Sequence, residues 1–362
     1  MTRPYDHGGN IFAVARSLGV SPEEILDFSA SINPLGYAPG VKEALFASFD
    51  RIVHYPDSDA GGLRRSLAEY HSLEAGNIAV ANGSTELIYL VPRLLKNARG
   101  LIIGPAFSEY AKAMALAGME YSFFLLNPGE DFALSLEALD ERLAQGIGIL
   151  FLCNPGNPTG KLLPLSEVEK ILALCHSRGV FAVLDEAFID FCEAESAKKL
   201  VPYNNGTLLL RSMTKFFAIP GLRLGYAIAS QEVIARLETL SPPWSVNTLA
   251  QLAGIASLAD APYIRRTVDY VVSESSFLAA ELAAIPGLLP HPSAANYLLV
   301  EVKKGPPAGI LRDLLLEKRI LIRSCANFAG LDDSSFRVAV RTRGENEILL
   351  SALREIFVKK NG

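Results

Sequence analysis

Lys215 lies in the segment 212–226, shortly after the hydroxyl residues Ser212 and Thr214, and an apolar run, 207–210, precedes this segment. The residues adjacent to Lys215 are uncharged, so we expect desolvation to lower the pKa of its amine. An amine with a lowered pKa reacts with an aldehyde to form a Schiff base. Ser212 and Arg223 supply the hydroxyl and guanidinium groups that bind a phosphate monoester. Taken alone, a Ser-x-x-Lys pattern would indicate an ordinary surface lysine on a loop.

Pyridoxal phosphate combines an aldehyde with a phosphate, and the chain holds candidates for the other groups that this cofactor needs. Asp185 ends the apolar run FAVLD, and a buried carboxylate there would keep the pyridine nitrogen protonated, so that the ring is a good electron sink. Asn157, within NPGNPTG, could donate to the ring oxygen. Ser84 and Thr85 follow a short strand and begin a helix, where backbone amides bind anions, although a plain hydroxyl cap is the simpler alternative. Phe107 could stack on the ring or belong to the core.

Short apolar strands alternate with helices from residue 100 onward. This pattern predicts an α/β fold with a mostly parallel central sheet and helices on both faces. Ligands bind at the carboxyl ends of the strands in such sheets. The candidate segments 104–107, 154–160, 185–188 and 212–215 each follow a predicted strand. We therefore expect these segments to meet along one edge of the sheet.

The pattern changes after about residue 250, where long helical stretches lead to strand-like runs and a closing helix. We predict a large cofactor-binding domain over residues 37–250. A smaller α+β domain would be formed by residues 1–36, an N-terminal arm with little regular pattern, together with residues 251–362.

Composition and charge exclude several classes of protein. The chain has 362 residues and a formal net charge of -5, whereas a general nucleic-acid binder would carry a basic surface. Its four cysteines are widely spaced and include no C-x-x-C pair, which argues against a zinc site or a disulfide scaffold and for a reducing cytoplasm. No apolar run has the length of a signal core or a membrane span. We expect a cytoplasmic protein without a metal, a membrane or a nucleic acid as partner.

Three motifs in this order, NPGNPTG, DEAFIDF and SMTKFFAIPGLRLGY, resemble those of the fold-type I pyridoxal-phosphate enzymes, in the branch of the histidinol-phosphate aminotransferases. HGGN near the start, PPWSVN and RILIRSCANF are similar to motifs of the threonine-phosphate decarboxylases of cobalamin biosynthesis. The resemblance covers nearly the whole chain. It implies conversion of L-threonine O-3-phosphate to (R)-1-amino-2-propanol O-2-phosphate and carbon dioxide, which gives the linker to the nucleotide loop of the corrinoid.

The resemblance also implies roles for the matching residues. Lys215 would hold the cofactor aldehyde, Asp185 would pair with the pyridine nitrogen, and Asn157 would contact the ring oxygen and the substrate. The residues implied for the cofactor phosphate are Ser84, Thr85, Ser212, Arg223 and, from the neighbouring subunit of a homodimer with shared active sites, Tyr55. Arg337 would pair with the substrate carboxylate. The residues implied for the substrate phosphate are His7, Gly8, Gly9, Asn33 and Arg323.

Phe188 departs from the family pattern. Many aminotransferases have a tyrosine at this place, and its hydroxyl bonds the ring oxygen, so Asn157 would be the main partner of that oxygen here. Arg341 follows Arg337 by four residues in FRVAVRT, and side chains at even spacing lie on the same face of a strand. The sequence gives Arg341 no defined role.

Two other functions remain alternatives. An aminotransferase acting on histidinol phosphate or another amino acid would share the motifs, because no short motif encodes which bond at Cα lies perpendicular to the cofactor ring. Release of carbon dioxide without a 2-oxo acid acceptor would separate the two reactions. A non-enzymatic module that keeps the fold and binds a ligand is disfavoured, because Lys215, Asp185 and Asn157 are all present.

Overall fold

A seven-stranded sheet forms the centre of the computed structural model, which describes residues 7–95 and 97–358. The strands are β1 Leu26–Asp27, β2 Ile78–Ala81, β3 Gly100–Gly104, β4 Tyr121–Leu125, β5 Ile149–Cys153, β6 Phe181–Asp185, β7 Thr207–Ser212, β8 Gly225–Ala229, β9 Leu288–Pro290, β10 Tyr297–Val302, β11 Ile320–Leu321, β12 Arg323–Ser324 and β13 Ser335–Ala339. The α-helices are α1 Ile11–Leu18, α2 Pro39–Ala47, α3 Gly61–His71, α4 Ser84–Leu90, α5 Glu109–Leu116, α6 Leu136–Leu143, α7 Leu165–Ser177, α8 Gln231–Glu238, α9 Thr248–Leu258, α10 Ala261–Ala283, α11 Ala308–Leu316 and α12 Arg343–Val358. None of the helices in these ranges combines the length and the apolar character needed to cross a membrane.

The strands of the central sheet lie in the order β2-β8-β7-β6-β5-β3-β4. β8 pairs antiparallel with both of its neighbours, and the other pairs are parallel. β5 reads ILFLC and β6 reads FAVLD, with almost every residue buried. Such continuous apolar runs suit strands that are covered by helices on both faces. The predicted α/β fold with a mostly parallel sheet is confirmed.

The start of α4 reaches the same edge of the sheet as the carboxyl ends of the parallel strands. Because β8 runs in the opposite direction, its first residue, Gly225, pairs with Ser212 at the end of β7 and with Ala81 at the end of β2. A Cβ atom at Gly225 would lie 2.2 Å from the backbone nitrogen of Ser84. Only glycine therefore lets the first turn of α4 pack this closely on β8.

A second sheet, antiparallel and in the order β12-β13-β10-β9, carries a separate hydrophobic cluster. α11, α12 and the second half of α10 contribute Leu311, Leu353 and Leu278 to this cluster. The N-terminal segment joins it, because β1 pairs with β11 and Phe28 is fully buried among these residues. These contacts support a small domain built from both ends of the chain.

The predicted boundary at residue 250 stays a prediction. Ala250 and Ala253 of α9 and Tyr263 in the first half of α10 pack in the cluster of the central sheet. α10 thus contributes to both hydrophobic clusters and links them through one continuous helix.

A buried group of charges adjoins the edge of the central sheet. Arg211 precedes Ser212 at the end of β7, and its side chain is fully buried. Its carboxylate partners, which with it form the Arg211 cluster, are Glu186 at 3.3 Å, Asp190 at 2.8 Å and Glu193 at 2.5 Å. Burial raises the pKa of Glu186 to about 7. The shared guanidinium ties the end of β7 to the segment that follows β6.

Candidate active site

A cavity of about 240 Å³ lies where β5, β6 and β7 end, and residues of the second sheet line it as well. The residues singled out in the sequence that line this cavity are His7, Gly8, Ser84, Thr85, Phe107, Asn157, Asp185, Phe188, Ser212, Lys215, Arg223, Arg323 and Arg337. The segments that were expected to meet at one edge of the sheet therefore do so.

Lys215 lies in the turn that follows β7. Burial lowers the pKa of its amine to about 8, and repulsion by Arg337 and Arg223 adds to this shift, whereas Asp185 opposes it. A larger share of the amine is therefore neutral near pH 7 than for an ordinary lysine, as attack on an aldehyde requires.

Asp185 is buried at the end of β6 and is held by two hydrogen-bond donors. The Tyr110 hydroxyl donates at 2.6 Å, and the backbone amide of Ala187 donates at 3.0 Å. Burial raises the pKa of Asp185, and these hydrogen bonds and Lys215 oppose the rise. A buried carboxylate in this setting is stabilised by a further cationic partner, such as a protonated ring nitrogen.

Hydroxyl and guanidinium groups gather beside the start of α4. A Cβ atom at Gly83 would lie 2.7 Å from a guanidinium nitrogen of Arg223, so glycine is what lets this guanidinium lie against the helix start. Arg223 itself has a left-handed backbone with a φ of 58°, and it donates to the Pro220 carbonyl at 3.2 Å. The hydroxyls of Ser212 and Thr214 are hydrogen-bonded to each other at 2.8 Å.

Asn157 and Arg337 are joined by a hydrogen bond between the two sheets. Arg337 is buried, and its Nη1 donates to Asn157 Oδ1 at 2.5 Å while its Nη2 donates to the Ser29 carbonyl at 3.0 Å. Its guanidinium lies 4.8 Å from the centre of the Tyr297 ring. Among the described residues, the Nε of Arg337 has no hydrogen-bond partner. A buried guanidinium held by neutral groups retains its capacity to bind an anion.

Arg323 is the second arginine that the second sheet brings to the cavity. It donates to the Ser324 carbonyl and to Asn327 Oδ1, both at 2.7 Å. Its guanidinium lies 5.1 Å from the centre of the Phe328 ring. These contacts hold the side chain in one orientation beside the cavity.

The HGGN segment packs against Ser29, and only part of it reaches the cavity. A Cβ atom at Gly8 would lie 2.0 Å from the Ser29 carbonyl oxygen, so this close approach requires glycine. The Gly9 amide donates to the Ser29 hydroxyl at 2.8 Å, and Gly9 does not line the cavity. His7 does line it, and its Nε2 is 2.8 Å from Glu109 Oε1.

Asn33 lies outside the cavity, and its side-chain amide is fully used elsewhere. The two hydrogens of its Nδ2 are shared among three acceptors: the Phe216 carbonyl at 2.8 Å, the Tyr263 hydroxyl at 2.8 Å and the Thr267 hydroxyl at 3.1 Å. Its Oδ1 accepts from the Leu35 amide at 3.0 Å. These hydrogen bonds do not favour the expected contact of Asn33 with the substrate phosphate, which stays a prediction. Asn33 instead ties the N-terminal segment to α10.

Tyr55 and Arg341 also lie away from the cavity. Tyr55 is 80% exposed, and its ring packs on Trp244 with 4.8 Å between the ring centres. Arg341 donates to the Asp27 carbonyl at 3.0 Å and pairs with Glu345 at 2.5 Å. These contacts give Arg341 a structural role, because they connect the start of α12 to the N-terminal segment.

Sequence reasoning missed two tyrosines that shape the site. Tyr110 donates to Asp185 from the first turn of α5. The available signal was its place three residues after Phe107, in the segment that follows β3. Tyr297 packs on the edge of the Phe188 ring at 4.9 Å and donates to the Gly156 carbonyl at 2.6 Å. Nothing in its local sequence marked Tyr297, because its partners lie more than 100 residues away.

The cavity fits pyridoxal phosphate. It offers a lysine of lowered pKa for the aldehyde and a buried carboxylate of raised pKa for the pyridine nitrogen. The groups that would hold the phosphate are the side chains of Ser84, Thr85, Ser212, Thr214 and Arg223. Gly83 lets the Arg223 guanidinium approach the start of α4, and Gly225 lets the start of α4 approach β8.

A family profile described as aminotransferase class I and II matches residues 23–353. The chain belongs to the aminotransferase class I and II family. The relationship expected from NPGNPTG, DEAFIDF and SMTKFFAIPGLRLGY is thereby confirmed.

Two curated relatives of this family member are similar over almost its whole length. It is 42% identical to threonine-phosphate decarboxylase of Salmonella typhimurium, over 97% of this chain and 96% of that protein. It is 32% identical to the adenosylcobalamin biosynthesis bifunctional protein CobDQ of Leptospira interrogans, over 97% of this chain and 41% of that protein.

Two solved structures share the fold of this family member. L-threonine-O-3-phosphate decarboxylase from Porphyromonas gingivalis has a TM-score of 0.80 at 29% identity, covering 92% of this chain and 100% of that one. Histidinol-phosphate aminotransferase from Clostridium acetobutylicum has a TM-score of 0.87 at 30% identity, covering 93% of this chain and 100% of that one.

Proposed function

We propose that this protein is a pyridoxal-phosphate-dependent lyase that decarboxylates L-threonine O-3-phosphate. The observation that carries the proposal is one cavity in which a lysine of lowered pKa meets two separate groups of cations. Arg223 beside α4 suits the cofactor phosphate, and Arg323 with Arg337 suits an amino acid that carries both a carboxylate and a phosphate. The 42% identity to the Salmonella typhimurium enzyme supports the same substrate.

The residues of the cavity have defined tasks in this reaction. When bound, pyridoxal phosphate draws electrons from the Cα of an amino acid into its ring, which is what decarboxylation at Cα requires. Lys215, with a pKa of about 8, would hold the cofactor aldehyde and could move a proton at the Cα of the substrate. Asp185 would hold the proton on the pyridine nitrogen. Asn157 keeps its Nδ2 for the ring oxygen, because its Oδ1 already accepts from Arg337.

Arg337 would set which bond at Cα breaks. A decarboxylase would have to orient the substrate so that the bond from Cα to the carboxylate is the bond that breaks. The Arg337 guanidinium is fixed by Asn157 and Ser29, and a carboxylate bound to it would share this fixed position. Arg323 would hold the phosphate of the same substrate.

A histidinol-phosphate-type aminotransferase is the alternative, and the TM-score of 0.87 to such an enzyme favours it. Histidinol phosphate has a phosphate but no carboxylate. In that reaction Arg337 would instead bind the carboxylate of a 2-oxo acid acceptor. The two functions therefore differ in whether turnover needs an acceptor.

We further propose a homodimer with shared active sites. Tyr55 lies outside the cavity of its own chain, and Phe46, Phe49 and Val53 in the same stretch are more than half exposed. Large exposed apolar side chains that are close together in sequence suit a protein interface. A second copy that covers it would bring Tyr55 to the cofactor phosphate of its partner.

The reaction would supply cobalamin biosynthesis, as the similarity to the Leptospira interrogans protein supports. We place it in the cytoplasm, since Cys153, Cys175, Cys192 and Cys325 are all free thiols and a reducing compartment keeps them so.

The deciding experiment is incubation of the purified holoenzyme with L-threonine O-3-phosphate in the absence of any 2-oxo acid. We expect release of one carbon dioxide for each (R)-1-amino-2-propanol O-2-phosphate formed. Turnover that appears only after 2-oxoglutarate is added, with no carbon dioxide released, would establish the aminotransferase instead.

A further inference from the structure

Glu109, in the first turn of α5, is a buried carboxylate that three side chains hold beside the cavity. Its Oε1 lies 2.8 Å from His7 Nε2 and 2.8 Å from Lys112 Nζ, and its Oε2 accepts from the Tyr89 hydroxyl. Burial would raise the pKa of Glu109, but the hydrogen bonds from Lys112 and Tyr89 outweigh burial and the pKa is lowered. Glu109 is therefore ionised at neutral pH.

His7 is the member of this group that lines the cavity. A carboxylate only accepts hydrogen bonds, so the Nε2 of His7 must carry the hydrogen in this contact. The other ring nitrogen, Nδ1, has no hydrogen-bond partner within residues 7–95 and 97–358. The Phe107 ring, 5.4 Å away between ring centres, limits rotation of the imidazole.

We propose that Glu109 is a positioning residue. It accepts from Nε2–H and fixes the orientation of the His7 ring, so that Nδ1 faces the phosphate of the substrate beside Arg323 and donates to it when both ring nitrogens carry a hydrogen. This inference rests on the proposed function and adds to it the residue that controls recognition of the phosphate. No motif in the sequence singled out Glu109.

Charge and position both suit this role. Lys112 shares the carboxylate oxygen that contacts His7, so the negative charge of Glu109 is matched and does not repel a bound phosphate. His7 and Arg323 line the main cavity together, and they also line a neighbouring cavity of about 120 Å³. The two donors therefore stand at the same wall, where a phosphate can reach both.

The test measures binding of inorganic phosphate and of acetate to the holoenzyme by titration calorimetry, in Glu109→Gln, His7→Gln and the double variant. Glu109→Gln is expected to weaken phosphate binding about tenfold, the effect of losing one charged hydrogen bond. Binding of acetate, which we expect at Arg337, should change by no more than about twofold. In the His7→Gln background, Glu109→Gln should have no further effect, because it acts through His7. Tyr89→Phe is the matched control, since it removes a donor from Glu109 without touching the contact to His7.

Three outcomes would overturn the proposal: equal losses for phosphate and acetate, effects of the two substitutions that multiply, or a Tyr89→Phe loss as large as that of Glu109→Gln. If Glu109→Gln does not fold, His7→Gln alone decides, because unchanged phosphate binding in that variant also contradicts the proposal. These titrations need no turnover. A holoenzyme that fails to decarboxylate threonine phosphate would contradict the proposed function. The titrations would still show whether Glu109 acts on phosphate binding through His7.

Discussion

Arg323 and Arg337 stand directly opposite each other in the antiparallel pair β12–β13, and both line the cavity. Like charges at directly opposed positions destabilise a sheet. The repulsion here is offset when anions bind between or beside the two guanidinium groups. A substrate with a carboxylate and a phosphate supplies two such anions in one small molecule.

Substrate preference should separate the two arginines. We expect Arg323→Ala to lower kcat/KM for threonine phosphate by about 10- to 100-fold while changing the value for plain threonine little, because only the phosphate loses a charged hydrogen bond. Arg337→Ala should lower both values, because both substrates carry the carboxylate. Arg312→Ala, at the neighbouring cavity, is the control and should change neither value by more than about twofold. Equal losses for both substrates in Arg323→Ala would refute the phosphate assignment.

The pKa of Lys215 predicts how fast the apoprotein captures pyridoxal phosphate at different pH values. Only the neutral amine reacts, so the rate should rise about tenfold per pH unit and level off above about pH 8. Arg337→Met removes a charge that lowers this pKa, so the break should move to higher pH. Stopped-flow absorbance measures the rate, and borohydride reduction with peptide mapping checks that Lys215 alone is labelled. A rate that keeps rising to pH 10 would place the reaction at an ordinary lysine.

Tyr110 should tune the charge of Asp185. The Tyr110 hydroxyl lowers the pKa of Asp185, so Tyr110→Phe should raise it further. Since the ionised carboxylate is the active form, the acid limb of the kcat profile should move to higher pH in Tyr110→Phe. Asp185→Asn removes the ionised form and should lower kcat about 100-fold or more with a smaller loss of cofactor affinity. An unchanged acid limb in Tyr110→Phe, or a wild-type kcat in Asp185→Asn, would show that Asp185 does not face the ring.

Mixed dimers should test whether Tyr55 serves the partner subunit. Tyr55→Ala and Lys215→Ala homodimers should each have low activity, the second because it lacks the lysine that holds the cofactor. A dimer with one chain of each kind has one site with Lys215 from one chain and Tyr55 from the other. Co-expression with two affinity tags should therefore restore up to half of the wild-type activity. If activity stays at the level of the parents, the sites are not shared.

The Arg211 cluster should contribute to stability through its buried charges. Arg211→Met leaves Glu186, Asp190 and Glu193 without their common partner, and we expect a loss of about 3–5 kcal/mol in the free energy of unfolding. Arg178→Met breaks a solvent-exposed pair with Asp140 and should cost far less. Urea denaturation at pH 7.5 measures both values. Similar losses in the two variants would show that the Arg211 cluster does not contribute more to stability than a surface ion pair.

The strands and their common edge could be predicted because their signals are local. ILFLC and FAVLD are continuous apolar runs, and the parallel arrangement of such strands brings their carboxyl ends together. Asn157 follows β5, Asp185 ends β6 and Lys215 follows β7, so each of these residues is close in sequence to the strand that positions it.

Other parts of the site depend on partners that are distant in sequence. Asn33 binds Tyr263 and Thr267, which follow it by 230 and 234 residues, and no local pattern shows that its amide is already used. The contact of His7 with Glu109 spans 102 residues. A resemblance of motifs gives the type of residue at a position, but the hydrogen bonds that commit its side chain arise only in the folded chain.

Arg223 has a left-handed backbone conformation that lowers folding stability, while its side chain serves the proposed binding site. An L-residue with a side chain loses about 1–2 kcal/mol in this conformation, whereas glycine adopts it freely. Directed evolution that rewards only thermal tolerance would therefore favour glycine at 223 and would discard the guanidinium beside Gly83. Arginine at this position therefore indicates selection for binding of a ligand at the start of α4 rather than for folding stability.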